Sequence, residues 1–408
     1  MGWIRGLVAL LLGLAWAVQA ADKPACRAVF DAGSSGTRLF LYVQQEGGWQ
    51  PWPGAKLGAL ADPVRQHQGP KAMAALAADL ANSLEALRQD GPTNSEGQPR
   101  WQGFDWQQAC RLQSVSVLAT AGMRLAEQQD PVASVALWQE VQQALAGLLG
   151  PAVAIDARTL TGFEEGFYAW LAARARLGRS DMGIVEMGGA SSQVAFPCPA
   201  CDRADDAVQQ VRLEGQTLDF YSYSFLGLGQ DEAPKVLGVP HACRYGAGVK
   251  DPNWQLGQCQ AQLPLTLGRA LKDPYNFQGQ GQGGYRQVPT EKAGVKDWLL
   301  TGAFQYNTPD QLDSCCLNQG QCYQPSTACF RVAYLPLYLD SLGVDPHSPD
   351  LDVSWTLGAV LCRNEQCLAP SKPPCRWRKA GCLAPSVGDG RPEGRPGQQP
   401  GGVQHRQH

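Results

Sequence analysis

Two short stretches of this sequence pair a single acid with residues small enough to let the backbone close on an anion. The first is Asp31-Ala-Gly-Ser-Ser-Gly-Thr37 and the second is Glu186-Met-Gly-Gly-Ala-Ser-Ser192. Aligned on the acid, each has a Gly two positions on and small hydroxyl residues after it. Consecutive small residues let backbone N–H groups converge on an anion because no side chain blocks the approach. Such turns suit phosphate, and Ser34, Ser35 and Thr37 add hydroxyl donors. Asp31 and Glu186 could hold a divalent cation directly or through its waters, since Mg²⁺ keeps several waters and takes one or two carboxylates beside substrate phosphates. Either turn alone is equally an ordinary β-turn with a surface acid. Two of them, about one domain apart, point to a site shared between two related halves.

Hydrolysis of a phosphate bond also needs a base. Glu164-Glu165-Gly-Phe-Tyr-Ala-Trp170 opens a predicted helix with two acids, either of which could take a proton from water. By spacing alone both are also favourable first-turn acids on the helix dipole, and periodicity does not choose.

The elements that position these residues alternate. Ala28 to Phe30 and Arg38 to Val43 read as strands around the first turn, and Met182 to Glu186 and Gln193 to Phe196 as strands around the second. Lys71 to Arg88 has helical spacing. Ser114 to Ala119 and Val153 to Ala157 are short apolar runs of strand length. Pro131 to Leu149 reads as a helix capped by Asp130, with Pro131 at its first position, and Thr161 to Leu177 as another. This alternation predicts an α/β fold. Cys198 to Cys329 is rich in Gly, Gln and Cys and reads mainly as loop, including Phe277 to Gly284. Regular structure resumes at Arg331 to Leu342 and Ser354 to Leu361. Residues 371–408, rich in Pro and Gly and locally basic, read as a disordered tail.

The chain has 408 residues, 17% of them charged, and a formal net charge of −3. That balance gives no reason to expect nucleic acid as a partner. Residues 1–20 combine Arg5, an apolar run from Leu7 to Val18 and a small-residue end, a secretory signal pattern cleaved after Ala20. The run is too short to span a bilayer, so no membrane span is expected after cleavage. All 14 cysteines then fall in the exported part, where oxidised pairing is expected. Cys198 and Cys201 pair with each other or with Cys243 and Cys259; Cys362 with Cys367 and Cys375 with Cys382 could close local loops. No Asn-x-Ser/Thr acceptor with a permitted middle residue occurs, which leans toward a bacterial envelope or secreted protein.

Five segments resemble, in order, the five apyrase-conserved regions of the nucleoside triphosphate diphosphohydrolase (apyrase) family: Asp31 to Arg38, Ala119-Thr-Ala-Gly-Met-Arg124, Glu164 to Trp170, Glu186 to Gln193, and Tyr223-Ser-Phe-Leu-Gly-Leu-Gly229. Trp355-Thr-Leu-Gly-Ala359 resembles the family's C-terminal Trp-x-Leu-Gly motif. The resemblance covers about residues 28 to 361. It implies a two-lobed actin-like, ribonuclease H-like α/β fold with the active site in the cleft between lobes. Lobe I would run over residues 21–160, completed by 343–370, and lobe II over 161–342.

The resemblance also implies roles. Glu165 matches the catalytic base, and Ser191 and Gln193 match residues that hold the attacking water. Ser34, Ser35, Gly36 and Thr37 match one phosphate loop and Gly188, Gly189, Ala190 and Ser191 the other. Thr120 and Arg124 match the region that supports the first loop. Asp31, Glu186 and Trp355 match groups that act on a Mg²⁺ or Ca²⁺ ion through its bound water. The family's fourth region usually opens with Asp, and Glu186 is one methylene longer. The segment Ser341 to Val344 lacks the aromatic that animal members place there for base stacking, while Tyr306 is a candidate for one side of a base sandwich. The activity implied is a secreted or periplasmic, cation-dependent hydrolase of nucleoside tri- and diphosphates, ending at the monophosphate. Its alternatives are a polyphosphate or other phosphoanhydride hydrolase of the same fold, and a non-enzymatic nucleotide-binding module.

Overall fold

The computed structural model describes residues 23–90, 110–244, 254–275, 284–307, 316, 323–344 and 353–368. The signal segment, the tail, Phe277 to Gln282 and the Cys375/Cys382 pair lie outside the described residues.

In strand β1 (Ala25–Ala32) the side chains alternate between two faces with the two-residue period of a strand. Ala28, Phe30 and Ala32 enter one apolar core, and Ala25 and Val29 enter another on the opposite face. β1 turns back antiparallel into β2 (Thr37–Gln45), which pairs antiparallel with β3 (Gly48–Leu57). On its other edge β1 runs parallel to β4 (Arg111–Ala119), and β4 runs parallel to β5 (Ala154–Thr159). The order is β3-β2-β1-β4-β5. One face is covered by helices α1 (Pro70–Asp90) and α3 (Pro131–Leu149), whose apolar residues share a core with Phe30, Leu41 and Val117. Asp130 caps α3 as expected, accepting from the Ala133 amide at 2.9 Å. Between β4 and α3 lies α2 (Ala121–Gln129).

Helix α4 (Gly162–Leu177) follows, and then a second sheet begins with β6 (Met182–Met187) and β7 (Ser191–Pro197), the other Gly/Ser hairpin. β7 pairs antiparallel with β9 (Gln216–Leu226), β9 with β8 (Val208–Leu213), and β6 runs parallel to β13 (Asp297–Gly302). Hairpin, third antiparallel strand and parallel strand thus recur in the two sheets. This α/β fold with two related sheets agrees with the one that the family resemblance implied. Helix α5 (Ala328–Leu342) packs on the outer face of the second sheet, in the core of Val185, Val194 and Phe225.

The inner faces of both sheets meet a middle layer made of α4 and α6 (Trp355–Glu365). Its core contains Val29 and Tyr42 of the first sheet, Ile184, Ala195 and Phe220 of the second, and Phe167, Trp170 and Val360 of the helices. α6 is tied to the first sheet by Arg27, which donates to the Val360 carbonyl at 3.0 Å, and by a 2.6 Å bond between the Tyr42 and Thr356 hydroxyls. On the other side the Arg212 amide donates to the Cys367 carbonyl. A methyl group at Gly358 would overlap the Tyr168 backbone, so only glycine lets α6 approach α4 this closely.

The stretch from Cys198 to Cys329 differs from the expected loop. It holds β8, β9 and β13, and a small sheet of β10 (Thr266–Leu267), β11 (Ala270–Asp273) and β12 (Gly284–Arg286). β8 carries Gln209 and Gln210, and β10 to β12 are 2, 4 and 3 residues long, which removes the pattern that would announce them. Among the described residues five disulfides form: Cys26–Cys110, Cys198–Cys201, Cys243–Cys259, Cys316–Cys329 and Cys362–Cys367. The Cys198 alternatives resolve to the local pair. Among the described residues no cysteine is free, and no helix is long and apolar enough to cross a membrane.

Candidate active site

Strand alternation explains why the chemistry-bearing residues converge. On β1, Asp31 shares the face of Val29; on β6, Glu186 shares the face of Ile184; on β7, Gln193 shares the face of Ala195. All three therefore point into the middle layer, where α4 presents Glu165 and α6 presents Trp355. A methyl at Gly166 would overlap the Ser222 hydroxyl and press on Gln193 and Ala195, so the glycine after Glu165 lets α4 lie against β7 and β9.

The structure separates the two acids that spacing could not. Glu164 closes a capping box: its Oε2 accepts from the Thr161 amide at 2.8 Å, while its own amide donates to the Thr161 hydroxyl at 3.2 Å. Arg158 also pairs with it, at 2.7 Å. Glu165 points inward, 4% exposed. Its Oε2 accepts from Arg124 Nη2 at 2.6 Å and its carboxyl also bonds the Thr120 side chain. Burial pushes the Glu165 carboxyl up, although Arg124 and Thr120 pull it down.

Arg124 Nη2 also donates to Ser191 Oγ at 3.2 Å, and Gln193 Nε2 donates to the same oxygen at 2.5 Å. Glu165, Arg124, Ser191 and Gln193 thus form one connected group drawn from α4, α2 and β7. Ser191 and Gln193 are buried, and Gln193 stands in register with Glu186.

The two Gly/Ser turns face each other. A methyl at Gly189 would overlap Ser34 Oγ, and one at Gly122 would press on the Ser34 backbone. In the second turn the carbonyls of Gly188, Gly189 and Ala190 accept from the amides of Gln230, Asp231 and Gly227 at 3.0, 2.8 and 2.7 Å. Because a trans peptide sets N–H opposite C=O, the amides of Gly189, Ala190 and Ser191 point away from that segment. In the first turn Ser35 is exposed and Ser34 and Gly36 are partly so. Thr37 is fully buried and its Oγ1 donates to the Gly58 carbonyl at 3.0 Å.

Three acids gather with little compensating charge. Asp31 is half-buried, and burial pushes its carboxyl up to about 7, against the pull of Arg38 and a hydrogen bond from the Trp355 side chain; nearby Glu165 pushes it further up. Burial and the charges of Glu165 and Asp31 push Glu186 well above the ordinary range. The Glu186 Oε2 atom is buried with no hydrogen-bond partner among the described residues. A buried carboxylate oxygen without a donor, flanked by two more acids, suits a hard cation such as Mg²⁺ or Ca²⁺ and gives a softer metal no ligand of its own kind.

The sequence assigns no role to two residues near this group, although Ser224 lies within the Tyr223 to Gly229 segment that resembles the family's fifth region. Ser224 of β9 accepts from Gln193 Nε2 at 2.9 Å. Asp231 lies against Gly189, with its Oδ2 accepting from the Tyr323 hydroxyl at 3.0 Å. Only strand register or loop packing reveals either. Tyr306 is exposed, and its neighbour Asn307 donates to the Gln230 side chain beside the second turn.

A family model, the GDA1/CD39 (nucleoside phosphatase) family, matches residues 107–286. The human ectonucleoside triphosphate diphosphohydrolase 2 is 31% identical over 339 residues, 74% of this chain and 62% of that protein. The rat ectonucleoside triphosphate diphosphohydrolase 1 is 28% identical over 297 residues, 64% of this chain and 53% of its own. The chain therefore spans between about half and two thirds of the length of these relatives. Among solved structures, a nucleoside triphosphate hydrolase from Neospora caninum aligns with a TM-score of 0.56 at 17% identity, covering 88% of this chain and 96% of that one. That likeness is one of fold.

Proposed function

We propose, from the match of residues 107–286 to the GDA1/CD39 (nucleoside phosphatase) family model, that the chain hydrolyses the terminal phosphoanhydride bond of nucleoside tri- and diphosphates. The observation that carries this reading is the bonded group of Glu165, Arg124, Ser191 and Gln193 beside two facing phosphate-type turns. The two sheets with their outer helices act as two lobes, and the substrate lies between them.

In this reading the amides of Gly189, Ala190 and Ser191, with the turn from Ser34 to Thr37, hold the phosphates. Ser191 and Gln193 fix a water in line with the terminal phosphorus, which makes positioning the larger part of catalysis. Glu165 takes the proton as the water attacks. Its raised carboxyl is a stronger base than an exposed glutamate, which suits work near neutral pH. Asp31, Glu186 and Trp355 would hold a divalent cation through its waters, and that ion would supply neutralising charge for the phosphate oxygens. Five disulfides support an oxidising compartment and hence a secreted or periplasmic protein.

The test is phosphate release from ATP, ADP, pyrophosphate and polyphosphate at matched concentration with Mg²⁺ or Ca²⁺, comparing wild type with Glu165→Gln. The expected result is release from both nucleotides and a loss of about 10²- to 10⁴-fold in the variant. Equal rates in the two proteins would remove Glu165 as base, and preference for polyphosphate would reassign the substrate.

A further inference from the structure

Gln193 and Ser224 are direct cross-strand partners in the antiparallel pair of β7 and β9. Both side chains point into the middle layer, because Ser224 shares the β9 face of Phe220. Gln193 Nε2 donates to Ser191 Oγ at 2.5 Å and to Ser224 Oγ at 2.9 Å, which uses both of its N–H groups. Its other end, Oε1, is buried and has no partner among the described residues. Ser191 Oγ accepts from Gln193 and also from Arg124 Nη2 at 3.2 Å. Both its lone pairs are then occupied, and its hydroxyl proton is left to donate.

The geometry points to Ser224 as a positioning residue that decides which end of the Gln193 amide meets the attacking water. This inference rests on the hydrolase reading above. With the NH₂ end turned to the two serines, the group presents an acceptor at Gln193 Oε1, an acceptor at Glu165 and a donor at Ser191. A water can give its two protons to the two acceptors and accept from Ser191, which leaves one lone pair free for phosphorus. With the amide turned over, the NH₂ end would donate to the water and compete for that lone pair.

Two hydroxyl acceptors match the two N–H groups of the amide. Without Ser224 one N–H would lose its protein partner, and the amide could then turn that N–H toward the water. The β7/β9 register therefore sets the polarity of the water site. A cavity of about 260 Å³ is lined in part by Arg124, Ser222, Tyr223 and Ser224.

The test uses the full chain in four forms: wild type, Ser224→Ala, Gln193→Ala and the double variant. Steady-state ATP hydrolysis and melting temperature are measured for each. Ser224→Ala is expected to lower kcat about tenfold, the scale of one lost hydrogen bond, with KM within about twofold. Gln193→Ala should cost more, and the double variant no more than Gln193→Ala, because Ser224 acts through Gln193. Ser224→Thr, which keeps the hydroxyl, should recover most of the rate. If Ser224→Ala lowers the melting temperature, Ser224→Cys, of similar size but a weak acceptor, takes its place. Unchanged kcat, a KM effect alone, or losses that multiply in the double variant would overturn the role of Ser224. A wild type that hydrolyses no nucleotide would instead overturn the hydrolase reading.

Discussion

Arg124 Nη2 lies 2.6 Å from Glu165 Oε2, with the two side chains only 14% and 6% exposed, so α2 and α4 are joined by a nearly buried ion pair. Removing one member of such a pair leaves an uncompensated charge and costs about 3–5 kcal/mol. Arg124→Ala should therefore lower the melting temperature by several degrees as well as the rate of phosphate release. Adding Glu165→Gln to that variant removes the stranded charge. The pair of changes should restore most of the melting temperature and none of the activity, as read by calorimetry and phosphate assay.

Glu186 sits beside two other acids with one oxygen unpartnered. In chelator-treated protein Glu186→Gln should raise the melting temperature, because it relieves repulsion at a site built for a cation. Added Mg²⁺ or Ca²⁺ should stabilise wild type in proportion to RT ln(1 + [ion]/Kd) and stabilise the variant much less. Equal stabilisation of the two would place the ion elsewhere.

Asp31 gives a pH signature of known sign. Its carboxyl titrates at about 7 in the folded chain against 3.8 ordinarily. Between those values the folded state binds the proton more firmly, so this group's contribution to stability is present below pH 4 and lost as pH rises toward 7. Measured without divalent cation, Asp31→Asn should gain stability over wild type progressively across that range. A gap that does not widen with pH would contradict the burial seen here.

The Cys26–Cys110 disulfide closes a loop across 84 positions between β1 and the start of β4. The chain-entropy relation gives about 4–5 kcal/mol for a loop of that length. Replacing both cysteines by serine should lower the melting temperature substantially while leaving kcat at low temperature unchanged, since neither sulfur approaches Glu165 or the Gly/Ser turns.

The two hairpins were legible because each combines an acid, small residues and flanking apolar strands, and because the pattern occurs twice. The helix of Glu165 was legible from periodicity, but the division of labour between Glu164 and Glu165 was not. It depends on which acid turns back to cap Thr161, and that is decided by packing against β7 and β9. β3 escaped notice because it contains Pro51 and Pro53. It pairs only with β2, and an edge strand tolerates proline. Ser224 lies within the Tyr223 to Gly229 segment, but its bond to Gln193 is set by strand register, and Asp231 is placed by the packing of a loop on Gly189.

Among the described residues Asp31 stands on the first strand and its indole partner Trp355 on the last helix, so the contact between them joins nearly the full span of those residues. During synthesis β1 emerges early, yet the carboxylate waits for Trp355 until almost everything else has been made. A chain cut short before α6 would keep both Gly/Ser turns and Glu165 while leaving the middle layer without its second helix. Formation of the Asp31–Trp355 contact is thereby tied to synthesis of α6, and a product truncated before it carries the motifs without that contact.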